Sequence, residues 1–181
     1  ITAVPAAMAK PSSTWMIAPT VNNADLELAH APDYLRGVIT GTLPPLELRR
    51  IGFPWSPAMI ERSRRSSGAT LAAALMALND GRAANLAGGT HHAARAQGGG
   101  YCVFNDSAIT LKALEARGLI TRGLVIDLDV HQGDGTADIL RHDPNHICFS
   151  MHGARNYPFR KRESDLDVAL PDDTRDERYL E

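Results

Sequence analysis

The stretch "GLVIDLDVHQGDGT", residues 123–136, decides the fold of this chain. Its first part, residues 123–130, is rich in Val, Ile and Leu and runs into a glycine-rich turn, a pattern typical of a β-strand. Because strand side chains alternate between two faces, Asp127, Asp129 and His131 are predicted to lie on the same face. Two carboxylates and an imidazole in a row on an apolar strand indicate a functional site.

The segments on both sides of this strand alternate between helical and strand patterns. Helices are predicted over 24–40 in two short parts, 57 to about 79, 106 to about 117 and 136–141; strands over 83–89, 123–130, 146–151 and 166–170; and a loop over 41–57. This alternation predicts an α/β domain with a mainly parallel sheet and right-handed crossovers.

The composition limits the class of protein. The chain has 181 residues, of which 44% are hydrophobic and 22% charged, as in an ordinary soluble domain. The net charge of −2 argues against a nucleic-acid or anionic-membrane partner, and no apolar run reaches the roughly 20 residues of a membrane span. Cys102 and Cys148 form no disulfide framework and no signal peptide is evident, so a cytoplasmic location is expected.

The expected burial of strand 123–130 makes its acidic residues informative. A central strand of a parallel sheet is normally covered on both faces, and a buried carboxylate requires a partner charge, hydrogen bonds or a metal. Cα atoms two residues apart are separated by about 7 Å, so Asp129 and His131 can ligate one ion. Asp127 lies about 13 Å from His131 and is expected to orient another residue. A site with one Asp, one His and open coordination positions suits catalytic zinc better than structural zinc. The alternative is that these residues form a structural cluster on a solvent-exposed edge.

A second motif, "NLAGGTHHA" at 85–93, places two histidines after a predicted strand end, where α/β proteins carry active-site loops. Neighbouring side chains diverge, so His91 and His92 are not expected to ligate the same ion. Pairing of one with Asp127 and of the other with Asp134 is expected instead, because a carboxylate fixes the imidazole tautomer and raises its basicity. The alternative is a chance pair of histidines on an exposed turn.

Together these motifs resemble the zinc-dependent histone deacetylase superfamily. The resemblance is carried by "GGTHHA" at 88–93, "GGGYCVFND" at 98–106, "VIDLDVHQGDGTADIL" at 125–140 and "FSMHGARNYPF" at 149–159. "IGFPWSP", "SDLDVALPDDT" and Gln132 are most similar to class IV members and their bacterial relatives. The resemblance covers about 25–181 and implies an arginase/deacetylase-type three-layer α/β fold, with a mainly parallel sheet flanked by helices.

The resemblance also implies a role for each matching residue. His91 and His92 would form an acid–base pair supported by Asp127 and Asp134, and Asp129 and His131 would ligate Zn²⁺. A monovalent cation such as K⁺ would be held by Asp127, Asp129, His131, Ser150 and the backbone carbonyl of Met151. The acyl-lysine tunnel would be lined by Gly100, Tyr101 and Tyr157, with Tyr101 standing where relatives usually have phenylalanine.

The family's third zinc ligand, an aspartate, and its oxyanion-polarising tyrosine are expected beyond residue 181. The chain begins at Ile1 and stops at "DERYLE", where a helix is predicted to begin. We therefore expect residues 1–181 to be a single, partial deacetylase domain that continues in a longer protein.

The function implied is zinc-dependent hydrolysis of N-acetyl- or N-acyl-lysine amides, with an acylated protein as partner. One alternative is an amidohydrolase for acetylpolyamines or another small acylated amine. A two-manganese, arginase-like hydrolase fits "DLDVHQGDG" less well. A third alternative is a catalytically incomplete fragment that only binds metal. The sequence does not distinguish oligomeric states.

Overall fold

The computed structural model describes residues 15–181, which form seven helices and three strands. The helices are α1 (Asn23–Ala29), α2 (Pro32–Thr40), α3 (Pro45–Ile51), α4 (Pro57–Asp80), α5 (Asp106–Ala116), α6 (Asp134–Leu140) and α7 (Asp176–Tyr179); the strands are β1 (Gly123–Asp127), β2 (His146–Gly153) and β3 (Leu166–Leu170). None of the helices in this described part is both long and apolar enough to cross a membrane.

Two of the predicted helices, α4 and α5, begin at residues whose side chains cap them. The Ser56 side chain accepts a hydrogen bond from the Met59 backbone N–H at 3.1 Å at the start of α4. Asn105 does the same for Ala108 at 3.0 Å at the start of α5. At the other end of α4, Gly81 has the left-handed conformation that ends many helices, with φ +77°.

The described sheet is parallel throughout, in agreement with the mainly parallel sheet that the sequence predicts, and its strand order is β1-β2-β3. Asp127 at the end of β1 is in register with Ser150 on β2, which is in register with Asp167 on β3. The predicted strand 123–130 is three residues too long, because β1 ends at Asp127. Asp129 and His131 therefore lie in the loop after the strand and not on it.

Two further predictions of secondary structure are wrong. Residues 83–89 form no strand, and Leu86 is 81% exposed. Hydrogen bonds of this segment go to helices instead: Asn85 donates to the backbone oxygen of Ser66 on α4 at 3.0 Å, and the Gly89 backbone N–H donates to Asp106 on α5 at 3.0 Å. The predicted loop 41–57 contains α3, a short helix that begins at a proline and buries Ile51 completely.

The helices cover one face of the sheet. α1, α2, α4 and α5 enclose an apolar core that includes Leu26, Val38, Ile51, Phe104 and Ile109. The opposite face carries apolar side chains that are 53–59% exposed, namely Leu124, Ile126, Ile147 and Leu166. We call it the open sheet face. The expectation that strand 123–130 is central and buried on both faces is therefore wrong for the described residues, in which β1 is an edge strand.

Candidate active site

His91 and Asp127 form the first of two histidine–aspartate pairs. Nδ1 of His91 lies 2.5 Å from Oδ2 of Asp127, and the two side chains are 12% and 9% exposed. The other carboxylate oxygen of Asp127 accepts a hydrogen bond from the Asp129 backbone N–H at 3.0 Å. A Cβ at Gly133 would clash with Oδ2 of Asp127, so the absence of a side chain there allows the pair to form.

The second pair joins His92 to Asp134, the first residue of α6. Nδ1 of His92 lies 2.6 Å from Oδ1 of Asp134. A Cβ at Gly135 would lie 2.5 Å from backbone atoms of His92 and Ala93, so glycine lets α6 pack directly on the histidine backbone. The rings of His91 and His92 are 4.2 Å apart between centroids, which brings both acid–base candidates to one place.

Asp129 and His131 converge in the loop after β1. Nδ1 of His131 lies 2.9 Å from Oδ1 of Asp129, which also accepts the His131 backbone N–H at 2.7 Å. Two ligands of a tetrahedral zinc ion with bonds near 2 Å lie about 3.3 Å apart. The observed separation of 2.9 Å is close to this distance, so the two atoms can be neighbouring ligands of one zinc ion. The side chains are 51% and 43% exposed, so the candidate metal site opens to solvent in the described part of the chain.

Electrostatics favour ionised Asp129 and protonated His91. Burial by itself raises the pKa of Asp129, but hydrogen bonds from His131 and the charge of His91 outweigh it and hold the pKa below its ordinary value. Burial by itself lowers the pKa of His91, but the hydrogen bond and charge of Asp127 raise it above its ordinary value. An ionised Asp129 is the form that binds a cation.

The remaining cation candidates lie beside Asp127. Ser150 is fully buried and in register with Asp127, and Met151 follows it on β2. The Ser150 hydroxyl lies 3.0 Å from Nδ1 of His152. The sheet therefore brings Ser150 to Asp127, and the loop that follows β1 adds Asp129 and His131.

Two of the three tunnel candidates lie against His92. The Tyr157 ring meets the His92 ring edge to face, with centroids 4.8 Å apart. Gly100 has φ +51°, and a Cβ there would lie 2.5 Å from the His92 ring. Tyr101 instead packs on Phe53, 5.1 Å between ring centroids, and is 66% exposed.

Gln132 is a buried residue whose contacts the sequence does not reveal. Its amide donates to the Arg162 backbone oxygen at 2.6 Å and to Asp167 at 2.8 Å, and its oxygen accepts the Arg162 N–H at 2.8 Å. Gln132 thus ties the loop carrying His131 to the β2–β3 connection, which carries Tyr157. Its partners lie 30 and 35 residues away, so no local pattern predicts them.

A separate cluster of metal-binding residue types lies at the other end of the sheet. Ligand atoms of Glu115, Asp143 and His146 all lie within 4.8 Å of one another. Lys112 forms a close ion pair with Asp143, and Asn145 donates to Glu115 at 2.6 Å. The two carboxylates therefore already have partners, and the cluster is distinct from the Asp129–His131 pair.

A cavity of about 480 Å³ lies beside the candidate site, between α4 and the segment before the histidines. Thr90 and Tyr101 are on its walls, whereas His91 and His92 are not. The cavity is therefore adjacent to the acid–base pair but does not contain it.

Comparison with known proteins gives a consistent result. Residues 2–181 match the family model described as "Histone deacetylase domain". An uncharacterized protein of Picosynechococcus sp. is 48% identical over 160 residues, which cover 88% of this chain and 53% of that protein. Polyamine deacetylase HDAC10 of Mus musculus is 33% identical over 157 residues, covering 80% of this chain and 23% of that protein.

The fold also matches a solved structure, that of an HDAC homolog from Aquifex aeolicus. The TM-score is 0.75 at 25% sequence identity, and the match covers 90% of this chain and 50% of that one. This match confirms the fold class predicted from the sequence. The chain spans about half the length of this homolog and of the Picosynechococcus protein.

Proposed function

The chain belongs to the histone deacetylase family, and from this premise we propose that it supplies the acid–base and metal-binding groups for zinc-dependent hydrolysis of N-acetyl- or N-acyl-lysine amides. One observation carries the proposal: two histidine–aspartate pairs, 2.5 Å and 2.6 Å between their paired atoms, stand beside the Asp129–His131 pair. A general base, a general acid and metal ligands in one place are the groups that metal-assisted amide hydrolysis uses.

The metal-binding part of the proposal rests on Asp129 and His131. These two side chains would hold Zn²⁺, which when bound polarises the acyl carbonyl and lowers the pKa of its water. Catalytic zinc ordinarily has three protein ligands. We propose that the third, an aspartate, and a tyrosine that polarises the carbonyl lie outside these 181 residues.

The proton-transfer part rests on the histidine pairs. Each aspartate holds the Nδ1 side of its imidazole, which leaves Nε2 free for proton transfer. We assign one of His91 and His92 to take a proton from water and the other to protonate the leaving amine. The adjacent rings allow both transfers to occur at one bond.

Substrate and cation sites complete the proposal. Gly100 and Tyr157 would flank the alkyl chain of an acyl-lysine, since both lie against His92, and Tyr101 would contribute at the rim. Asp127, Asp129, His131, Ser150 and the backbone carbonyl of Met151 would hold a monovalent cation such as K⁺. We also propose a class IV-like assignment, from Gln132 and the segments "IGFPWSP" and "SDLDVALPDDT", and a cytoplasmic location.

One alternative substrate is favoured by a specific observation. The relative from Mus musculus that covers 80% of this chain is described as a polyamine deacetylase. An acetylated polyamine presents the same amide on a similar alkyl chain, so the same catalytic groups would serve. A fragment that binds metal without catalysis is the alternative of another class.

Zinc content and substrate turnover test these proposals together. Zinc per protein and hydrolysis of an acetyl-lysine peptide and of N8-acetylspermidine should be measured for the 181-residue chain and for the complete gene product. Stoichiometric zinc with peptide hydrolysis supports the lysine proposal, whereas hydrolysis of acetylspermidine alone supports the polyamine alternative. Zinc binding by the complete gene product without turnover of either substrate would overturn the hydrolase proposal.

A further inference from the structure

The loop that carries the two histidines is held from both sides by one dipeptide. We propose that Asn105 and Asp106, at the start of α5, are positioning residues that fix the backbone of His91 and His92. The catalytic consequence of this inference rests on the proposed function, whereas its structural part can be measured without it.

Asp106 holds the backbone immediately before His91. It is buried, and its carboxylate accepts the backbone N–H groups of Gly89 at 3.0 Å and Thr90 at 2.8 Å. The Thr90 hydroxyl lies 2.8 Å from the same carboxylate, and the hydroxyl of Thr70 donates to it at 2.6 Å. With these contacts, both carboxylate oxygens are occupied on the loop side.

Asn105 holds the backbone immediately after His92. Its amide nitrogen donates to the Ala93 backbone oxygen at 3.0 Å and to the Thr136 hydroxyl at 3.0 Å. Its amide oxygen accepts the Ala108 N–H at 3.0 Å and so caps α5. One side chain therefore connects the histidine loop, α6 and α5.

Three further hydrogen bonds hold this arrangement in place. The Thr136 backbone N–H donates to the His91 backbone oxygen at 3.0 Å, which ties α6 to the loop. Nε2 of His30 accepts the Asn105 backbone N–H at 2.9 Å, so its proton lies on Nδ1, which bonds to the Ala94 oxygen at 3.0 Å. His30, Asn105 and Thr136 are completely buried.

These contacts exceed what starting a helix requires. The Asn105 oxygen alone provides the cap of α5. The hydrogen bonds of the Asp106 carboxylate go to residues 70, 89 and 90, not to the first turn of α5. Both side chains bond to backbone and hydroxyl groups around the two histidines, so both act on the imidazole rings through the backbone.

Conservative substitutions test the proposal. Asn105→Asp retains an oxygen for the cap but loses the N–H donors to Ala93 and Thr136, and Asp106→Asn replaces an acceptor with a donor. Ser56→Ala is the matched control, because it removes a cap from α4. Measurements are kcat and KM of the zinc-loaded complete protein, thermal midpoints, and low-field ¹H NMR signals of the His91 and His92 Nδ1 protons in the metal-free 181-residue chain.

We expect both variants to shift or broaden the Nδ1 signals and to lower kcat about tenfold to a hundredfold with little change in KM, because small displacements of catalytic groups have such effects. Ser56→Ala should lower the midpoint but leave the signals and kcat unchanged. If either variant does not fold, Thr70→Val, which removes one donor to Asp106, should still shift the signals.

Unchanged Nδ1 signals in folded Asn105→Asp and Asp106→Asn would overturn the proposal. So would shifts equally large in Ser56→Ala, because the effect would then be general destabilisation. If the parent protein hydrolyses no acyl-lysine, the proposed function fails while the NMR comparison still decides the positioning role.

Discussion

Nδ1 of His92 lies 2.6 Å from Oδ1 of Asp134, and this contact makes the first residue of α6 a partner of the histidine loop. An amide at position 134 cannot stabilise an imidazolium or fix the tautomer as a carboxylate does. Asp134→Asn should therefore lower kcat by about a hundredfold or more in a deacetylation assay. Asp172→Asn is the control, since it removes a charge at a surface ion pair; equal activity of the two variants would contradict the role given to Asp134.

The zinc assignment predicts specific losses of metal. Asp129→Asn and His131→Ala should each lower zinc affinity by at least about tenfold, because each removes one of two candidate ligands. Zinc retained after dialysis, measured by mass spectrometry, checks this. His142→Asn is the control: position 142 has φ +67°, which asparagine tolerates. Full zinc occupancy in both ligand variants would contradict the site.

The prediction of helices succeeded where the signal is local. Ser56 and Asn105 each cap the helix that follows within three residues, so the sequence alone indicates where α4 and α5 begin. The strand predicted over 83–89 was wrong because a strand requires a partner, and Asn85 finds its partner on α4. The same reasoning explains why the exposure of β1 was not predicted: it depends on which elements pack against the sheet.

The burial of His30 should make the stability of the protein depend on pH. Burial lowers its pKa to about 4, whereas the unfolded chain has the ordinary value of 6.5. Between these values the unfolded state binds more protons, so stability should decrease as the pH falls from 6.5 toward 4, by up to roughly 3 kcal/mol. Urea unfolding at pH 7.5 and 5.0 checks this.

The comparison with His30→Gln isolates this contribution. His91 has a raised pKa and therefore the opposite effect on the pH dependence of stability. Its contribution to the free energy of unfolding is complete below pH 6.5 and is lost as the pH rises through the pKa of the folded state. Glutamine at position 30 does not titrate, so the variant should lose less stability on acidification than the parent. An identical loss in both proteins would show that His30 is not the titrating group.

Loss of the Gln132 side chain should loosen the β2–β3 connection locally. Gln132→Ala leaves the backbone N–H and oxygen of Arg162 without their partner, which should cost about 1–3 kcal/mol. It also removes one donor from the Asp167 carboxylate, which keeps the Ser164 backbone N–H at 2.8 Å. Hydrogen exchange should increase over residues 158–167. Gln97→Ala, which removes an exposed hydrogen bond to Arg50, should have little effect. Similar hydrogen exchange in both variants would contradict the role of Gln132 in holding the β2–β3 connection.

The open sheet face predicts self-association of the 181-residue chain. Leu124 is 54% exposed beside other apolar side chains, and such patches promote association. Leu124→Lys should lower binding of a hydrophobic dye and reduce association in sedimentation, with little loss of stability. Val125→Lys is the matched control on the core-facing side and should unfold the chain. Unchanged dye binding in Leu124→Lys would contradict this view.

The glycine at position 135 limits how this region can be altered. Because the backbone of α6 touches that of His92 and Ala93 directly, the helix and the loop cannot slide past each other without a collision. Redesign of the catalytic groups would therefore have to treat 91–93 and 133–136 as one inseparable piece. Transplanting either segment alone into another scaffold should yield imidazoles without their carboxylate partners.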